Sequence, residues 1–186
     1  MNDSAASTRV AMTTSLGVIE LALDVRAAPL TAQNFLRYVS ERRYVGASFY
    51  RAMRREHWTP GRELELVQGG LAVSGNQPLA PIAHESPTDT RLLHKRGTIS
   101  MARAAIDTAS SEFFICVDDC PGLDPTATPT PPADGLGYAA FGHVTKGMDV
   151  VIAIQQRATS IDAPIEAMRG QILLEPVTIL KFESLV

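Results

Sequence analysis

The sequence predicts a mainly β protein of antiparallel architecture. Short apolar runs with period-two spacing recur along the chain, each bounded by turn residues. Only two stretches show helical spacing, and strands and helices do not alternate regularly, which argues against a parallel sheet. A closed barrel is the favoured form of such a sheet, because closure leaves no edge exposed.

Arg9 to Thr14 and Gly17 to Leu23 read as two strands of a hairpin. In the second, Ile19, Leu21 and Leu23 alternate with Val18, Glu20, Ala22 and Asp24. Pro29 breaks the extended chain, and from Thr31 the spacing changes. Ala32, Phe35, Leu36 and Val39 fall on one face of a helix that Thr31 would cap and that fades around Arg42 and Arg43. Ala47 to Met53 reads as a strand with Phe49 and Arg51 on one face and Tyr50 on the other. Arg54 to Arg62 is polar and turn-rich, including Trp58 to Gly61. Glu65 to Gln68 is extended and stops at Gly69 and Gly70.

Leu71 to Lys95 has no sustained period and contains Pro78, Pro81 and Pro87; so long an irregular segment in a compact domain is often functional. Thr98 to Met101 and Phe113 to Ile115 are short strands joined by a loop of small residues. Pro121 to Gly137, with five prolines and three glycines, reads as a surface loop, since the remainder of the chain is too short to build its own core. Ala139 to Val144 is a strand. Met148, Val151 and Ile152 mark a second helix capped by Thr145, and Gln171 to Phe182 is a final strand pair or one bent strand.

The length of 186 residues favours one domain over 1–186, with 1–8 expected to be a flexible N-terminus. Hydrophobic residues at 45% and charged residues at 20% fit a soluble globular chain. A net charge of −3 offers no attraction to nucleic acid or to an anionic membrane, so neither is an expected partner. No apolar run reaches the ~18 residues of a spanning helix. Met1 to Ser15 shows no basic region followed by an apolar one, so the expected compartment is the cytoplasm. The periplasm is the alternative for a chain whose leader has been removed. Cys116 and Cys120 are too far apart to bridge if their segment stays extended, and two thiols fall short of a zinc site; both read as free.

Conventional catalytic signatures are absent: there is no nucleophile elbow, phosphate loop or dinucleotide fingerprint. His57, His84, His94 and His143 are scattered and read as surface or loop residues. Asp107, Asp118, Asp119 and Asp124 read as solvated loop carboxylates. Taken singly, Arg51 is equally a surface arginine on an edge strand, and Gln68 a polar residue flanking a turn.

The ordered set of motifs is more specific. FYR (49–51), VQGG (67–70), GTISMAR (97–103), SSEFFI (110–115), LD (123–124), YAAFGHV (138–144) and GMDVV (147–151) follow one another, after an Ala-Pro-x-Thr-x-x-Asn-Phe run over 28–35. From about Val10 to Ile179 this resembles the cyclophilin-type peptidyl-prolyl cis-trans isomerases, in a divergent bacterial branch. The resemblance implies a closed eight-stranded antiparallel β-barrel capped by two α-helices, with a peptide groove on its outer surface. It implies acceleration of X–Pro rotation in unfolded or flexible polypeptide segments, by a monomer that needs neither cofactor nor metal. By position, Arg51 corresponds to the catalytic arginine and Gln68 to the glutamine that orients it. Phe114 corresponds to the floor of the proline pocket, Leu123 to its wall, and Leu66 stands where many members have methionine. Ala102 corresponds to backbone that pairs with the peptide, and Tyr138 replaces a histidine. Phe49, Arg103 and Glu112 complete the implied substrate-binding set.

Four positions depart from the common pattern. Glu65 stands for a pocket phenylalanine, Arg103 for an asparagine, Glu112 for a glutamine and Gly122 for a tryptophan. The last implies weak cyclosporin binding. Glu112 could pair with Arg51 and fix it, draw it aside, or accept from a client N–H. The competing functions are a proline-peptide-binding or chaperone module with weak or no isomerase activity, and a hydrolase using Glu65 and Glu112 as paired acids.

Overall fold

In the computed structural model the two opening runs fold back on each other. β1 (Thr8–Thr14) and β2 (Gly17–Leu23) pair with Thr14 opposite Gly17. Ile19, Leu21 and Leu23 point inward and are fully buried, as their alternation requires. The structure describes residues 8–57, 63–125, 134–163 and 165–185. Of the N-terminus expected to be flexible over 1–8, Thr8 belongs to β1 and 1–7 lie outside the described residues, as do Trp58 to Gly61 of the turn-rich segment and 126–133 of the proline-rich loop.

Among the described residues seven further strands follow: β3 (Ser48–Met53), β4 (Leu66–Gly70), β5 (Thr98–Met101), β6 (Phe113–Cys116), β7 (Ala139–Lys146), β8 (Thr159–Ser160) and β9 (Ile172–Leu185). The ring runs β1, β2, β7, β5, β6, β4, β3, β9 and closes where β9 pairs with β1, every neighbour antiparallel. Closure thus consumes eight strands, and the two-residue β8 adds to the flank of β9. β4 does not stop before its glycines. Gly69 and Gly70 pair with Phe49 and Ser48, and a Cβ on Gly69 would lie 2.9 Å from the Ser48 carbonyl oxygen.

Among the described residues, three α-helices flank the ring. α1 (Pro29–Ser40) buries Ala32 and Phe35 as its spacing predicts, together with Tyr38. It starts earlier than Thr31, and its N-cap is Ala28, which offers no side-chain acceptor. That role falls to Glu85, far away in sequence. Its carboxylate accepts from the N–H groups of Leu30 (3.1 Å) and Thr31 (2.8 Å) and from the Thr31 hydroxyl (2.6 Å). α2 (Pro87–Thr90) is a single turn within the irregular 71–95 segment, capped by the Ser86 hydroxyl. α3 (Met148–Gln155) begins after Gly147 at φ +92°, not after Thr145, which lies in β7.

The side chains sort into two apolar clusters. Along β6, Phe113 and Ile115 join the large interior cluster, while Phe114 and Cys116 join a smaller one on the opposite face. The chain after β6 does not stay extended. A turn brings Cys120 back into the same small cluster as Cys116, both as free thiols, and contact with Cys120 together with burial pushes the Cys116 thiol well up.

On β3 the expected alternation fails. Phe49 and Ala52 both face the interior, so Tyr50 and Arg51 both face out. The cause is a bulge: Phe49 pairs with Gly69 and Arg51 with Gln68, leaving Tyr50 as one extra residue on β3.

Glu85→Ala should cost about 1–2 kcal/mol in urea denaturation, the range of a lost N-terminal cap. A change below about 0.3 kcal/mol would show that water caps α1 equally well.

Candidate active site

The outward residues of β3, β4 and β6 form one cross-strand row, with Arg51 opposite Gln68 and Gln68 opposite Phe114. The row borders a groove of about 460 Å³. At its apolar end, Leu64, Leu66, Phe114 and Leu123 pack with Met53 over the two cysteines. Tyr138 meets Phe114 edge-on, with ring centres 5.5 Å apart at 87°. Ala102, Arg103, Ala104, Thr108, Ser110, Glu112 and Met168 also line the groove, with Ala102 packed against the apolar cluster.

Nine of the ten residues singled out from the sequence therefore line one groove: Arg51, Leu66, Gln68, Ala102, Arg103, Glu112, Phe114, Leu123 and Tyr138. Phe49 does not. The bulge turns it into the barrel, where it is fully buried against Phe113 at 5.5 Å.

Arg51 is held by two amide oxygens. Its Nη1 donates to Gln68 Oε1 at 2.9 Å, while Nε and Nη2 both donate to Gln171 Oε1, at 2.9 and 2.6 Å. Nη2 also contacts Met53 Sδ at 3.2 Å. Gln68 is fixed in turn: its Nε2 donates to the Tyr50 oxygen (2.8 Å), and the Tyr50 hydroxyl donates to Glu112 Oε2 (2.7 Å). The direction of this chain follows from its end. An ionised carboxylate only accepts, so Tyr50 must donate to it and can only accept from Gln68. Gln68 must then present its oxygen to Arg51. Burial, and secondarily the Glu112 charge, pushes the Tyr50 hydroxyl far above its usual range, which keeps the proton on it.

The Glu112 carboxylate hydrogen-bonds to groups other than Arg51. Its Oε1 accepts from the N–H groups of Leu71 (2.7 Å) and Ala72 (3.1 Å) and from the Ser111 hydroxyl (3.1 Å), and its link to Arg51 runs through Tyr50 and Gln68. Gly70, at φ +148°, makes room: a Cβ there would fall 2.5 Å from the carboxylate. Ala102 spends its N–H on the Glu112 carbonyl (2.8 Å), so pairing with a peptide would use the Ala102 carbonyl.

The other departures also have partners within the chain. Arg103 forms a two-point ion pair with Asp134 (2.6 and 3.0 Å), donates to the Gly137 carbonyl (2.7 Å) and lies 5.6 Å over the Tyr138 ring. Its side chain is 1% exposed, so the guanidinium lashes the 134–138 segment down beside the groove. Glu65 turns away from the pocket to Arg55 (2.8 Å) and Gln155 (3.4 Å), and its neighbour Leu64 takes the apolar position. The proposed acid pair is thus engaged on two separate sets of donors.

Two loop assignments are corrected. His94 is a buried residue, 1% exposed and stacked on Phe114, with Nδ1 2.7 Å from Asp124 and Nε2 2.9 Å from Ser100 Oγ. Asp124 is therefore a structural partner and not a solvated acid. The Ser–His–Asp order resembles a hydrolytic triad, but Ser100 is fully buried and no substrate atom can reach its hydroxyl.

Sequence reasoning missed Tyr50, Leu64, Met168 and Gln171. Tyr50 and Leu64 were hidden by one-residue shifts in facing. Gln171 and Met168 carry no local motif.

The Arg103 hydrogen bonds hold the Asp134 carboxyl at about 2, below its usual 3.8. A lowered folded-state value adds stability that is complete above the usual value and disappears as pH falls toward 2. Asp134→Asn should therefore lower the melting temperature at pH 7 and have a smaller effect near pH 2.5. An equal effect at both pH values would mean that the charge contributes nothing.

A family model described as cyclophilin type peptidyl-prolyl cis-trans isomerase/CLD matches residues 9–183. Peptidyl-prolyl cis-trans isomerase A of Dickeya dadantii is 39% identical over 180 residues, covering 94% of this chain and 86% of that protein. A peptidyl-prolyl cis-trans isomerase of Acinetobacter baylyi is 35% identical over 182 residues, covering 96% of this chain and 86% of the relative. A cyclophilin-type isomerase of Cryptosporidium parvum superposes with a TM-score of 0.72 at 18% identity, covering 97% of this chain and 98% of its own, which establishes the shared fold. A second crystal structure of that protein, determined in the presence of the dipeptide Ala-Pro, superposes with a TM-score of 0.71 at 19% identity, covering 96% of this chain and 99% of its own. With the match spanning the ring from β1 to β9, the chain belongs to the cyclophilin-type peptidyl-prolyl cis-trans isomerase family.

Proposed function

We propose that this chain accelerates rotation about X–Pro bonds in unfolded or flexible polypeptide segments, with Arg51 stabilising the twisted amide. The observation that carries this reading is one groove in which an oriented guanidinium adjoins an apolar pocket floored by Phe114. Membership of an isomerase family supports the activity.

The physical requirement is modest. The X–Pro bond turns over a barrier of roughly 18–20 kcal/mol, taking tens to hundreds of seconds unaided. Reaching milliseconds needs about 10⁴- to 10⁵-fold, or roughly 5.5–7 kcal/mol. No covalent bond breaks, so no nucleophile is needed. When the amide twists it loses resonance, and the prolyl nitrogen gains a lone pair that can accept a hydrogen bond. A guanidinium donor at that point binds the twisted form better than either planar ground state. The pocket of Leu64, Leu66, Phe114 and Leu123 would hold the proline ring still while the preceding residue swings.

A groove that binds without catalysing would follow if Glu65 or Glu112 drew Arg51 aside. The hydrogen bonds of Glu65 run to Arg55 and Gln155, and the Glu112 carboxylate steadies Arg51 through Tyr50 and Gln68. Proline-containing segments are the substrates this geometry favours.

Arg51→Ala should slow catalysed exchange of a short X–Pro peptide by about 10²- to 10³-fold, measured by magnetisation-exchange NMR. Wild-type protein that binds the peptide without speeding exchange would leave only the binding module. Glu112→Gln should retain activity within about tenfold, roughly 1.4 kcal/mol, because Gln171 still holds Arg51 when the amide turns its oxygen to the Leu71 and Ala72 N–H groups and its NH2 to Tyr50. A larger loss would make the charge itself part of the mechanism.

A further inference from the structure

We propose that Gln171 is a positioning residue for this reaction, its amide oxygen setting the plane of the Arg51 guanidinium. The inference rests on the role of Arg51 proposed above. Gln68 accepts from one nitrogen, Nη1, and a single hydrogen bond leaves the guanidinium able to pivot about it. Gln171 Oε1 accepts from Nε and Nη2 together, which fixes the plane as well as the distance.

The grip has a rigid base. Gln171 is 6% exposed, and its Nε2 donates to the Ala167 carbonyl at 3.2 Å. Its own N–H donates to the Met168 carbonyl (3.0 Å), and its carbonyl accepts from the Ala52 N–H (2.8 Å), next to Arg51 in the chain. Sheet pairing explains the placement: β9 begins at Ile172, directly opposite Arg51, so the residue before it lies beside the arginine. An amide oxygen also orients the guanidinium without itself neutralising it. The prolyl nitrogen accepts only when the amide is twisted. A misdirected donor would therefore lower the rate at saturation and leave ground-state binding, which the apolar pocket supplies, nearly unchanged.

The test compares wild type, Gln171→Leu, Gln171→Glu, Arg51→Ala and the Arg51→Ala/Gln171→Leu double variant on one Ala-Pro peptide. Saturating exchange rate and peptide Kd are read separately, with melting temperature as control. Gln171→Leu, which keeps the length and loses the acceptor, should lose about tenfold in rate with Kd within about twofold. Gln171→Glu, which keeps the acceptor but puts a negative charge on the guanidinium and an oxygen against the Ala167 carbonyl, should recover only part of that loss. In the Arg51→Ala background Gln171→Leu should cost nothing further.

The inference is overturned if Gln171→Leu matches wild type while Arg51→Ala is slow, if its loss persists without Arg51, or if Kd weakens as much as the rate falls. If Arg51→Ala keeps the wild-type rate, the arginine reading fails and takes this one with it. A readout on wild type alone covers variants that do not fold. The Arg51 Nε–H signal, assigned by its loss in Arg51→Lys, should exchange slowly with water, and fast exchange would rule out the grip.

Discussion

The bulge at Tyr50 decides what the groove can contain. Strict alternation along β3 would send Phe49 and Arg51 to the same face, and Phe49 is locked in the barrel interior among Phe35, Tyr44 and Phe113. A guanidinium beside it would be a desolvated charge among aromatic rings, at a cost of several kcal/mol. One extra residue restores Arg51 to the outer face and brings Tyr50 out with it. The polar half of the groove follows from that step. Gln68 lies opposite Arg51, Tyr50 reaches the other end of the same amide, and Glu112 closes the chain. β9 accommodates the bulge on the far side, where its pairing partner jumps from Val177 to Ile172 and delivers Gln171.

Charge sets direction in this network while remaining at a distance from the reacting position. A glutamine at 112 could donate or accept, so neither Tyr50 nor Gln68 would have a single preferred orientation. A carboxylate removes the choice. The other unusual charges serve the walls in a similar way. Arg103 is spent on Asp134 and Gly137, and Glu65 on Arg55 and Gln155. Three of the four positions that depart from the common pattern implied by the resemblance thus hold loops and strands in place around an apolar pocket.

Most of the strands along the chain, the buried faces of β2 and α1, and nine of the groove residues were legible because each leaves a local trace, either a period or a motif. What escaped depends on partners remote in sequence. The Glu85 carboxylate caps a helix 55 residues earlier, and Gln171 meets Arg51 across 120 residues. His94 looked like a loop histidine because its partners, Asp124 and Ser100, are not implied by its neighbours. The bulge left no trace either, since a shift of one residue changes no composition and breaks no motif. It misdirected Phe49, and a comparable offset misplaced Glu65 relative to Leu64.

Barrel closure has a consequence for biosynthesis. β1 pairs on one side with β2 and on the other with β9, which is made far later. At about 5–20 residues per second, the interval between them during translation is on the order of ten seconds or more. Through that interval one edge of the nascent hairpin is open, and α1 acquires its Glu85 cap only partway. The chain therefore emerges from the ribosome as a sheet with an unsatisfied margin, and its groove can reach final form only once β9 has been made.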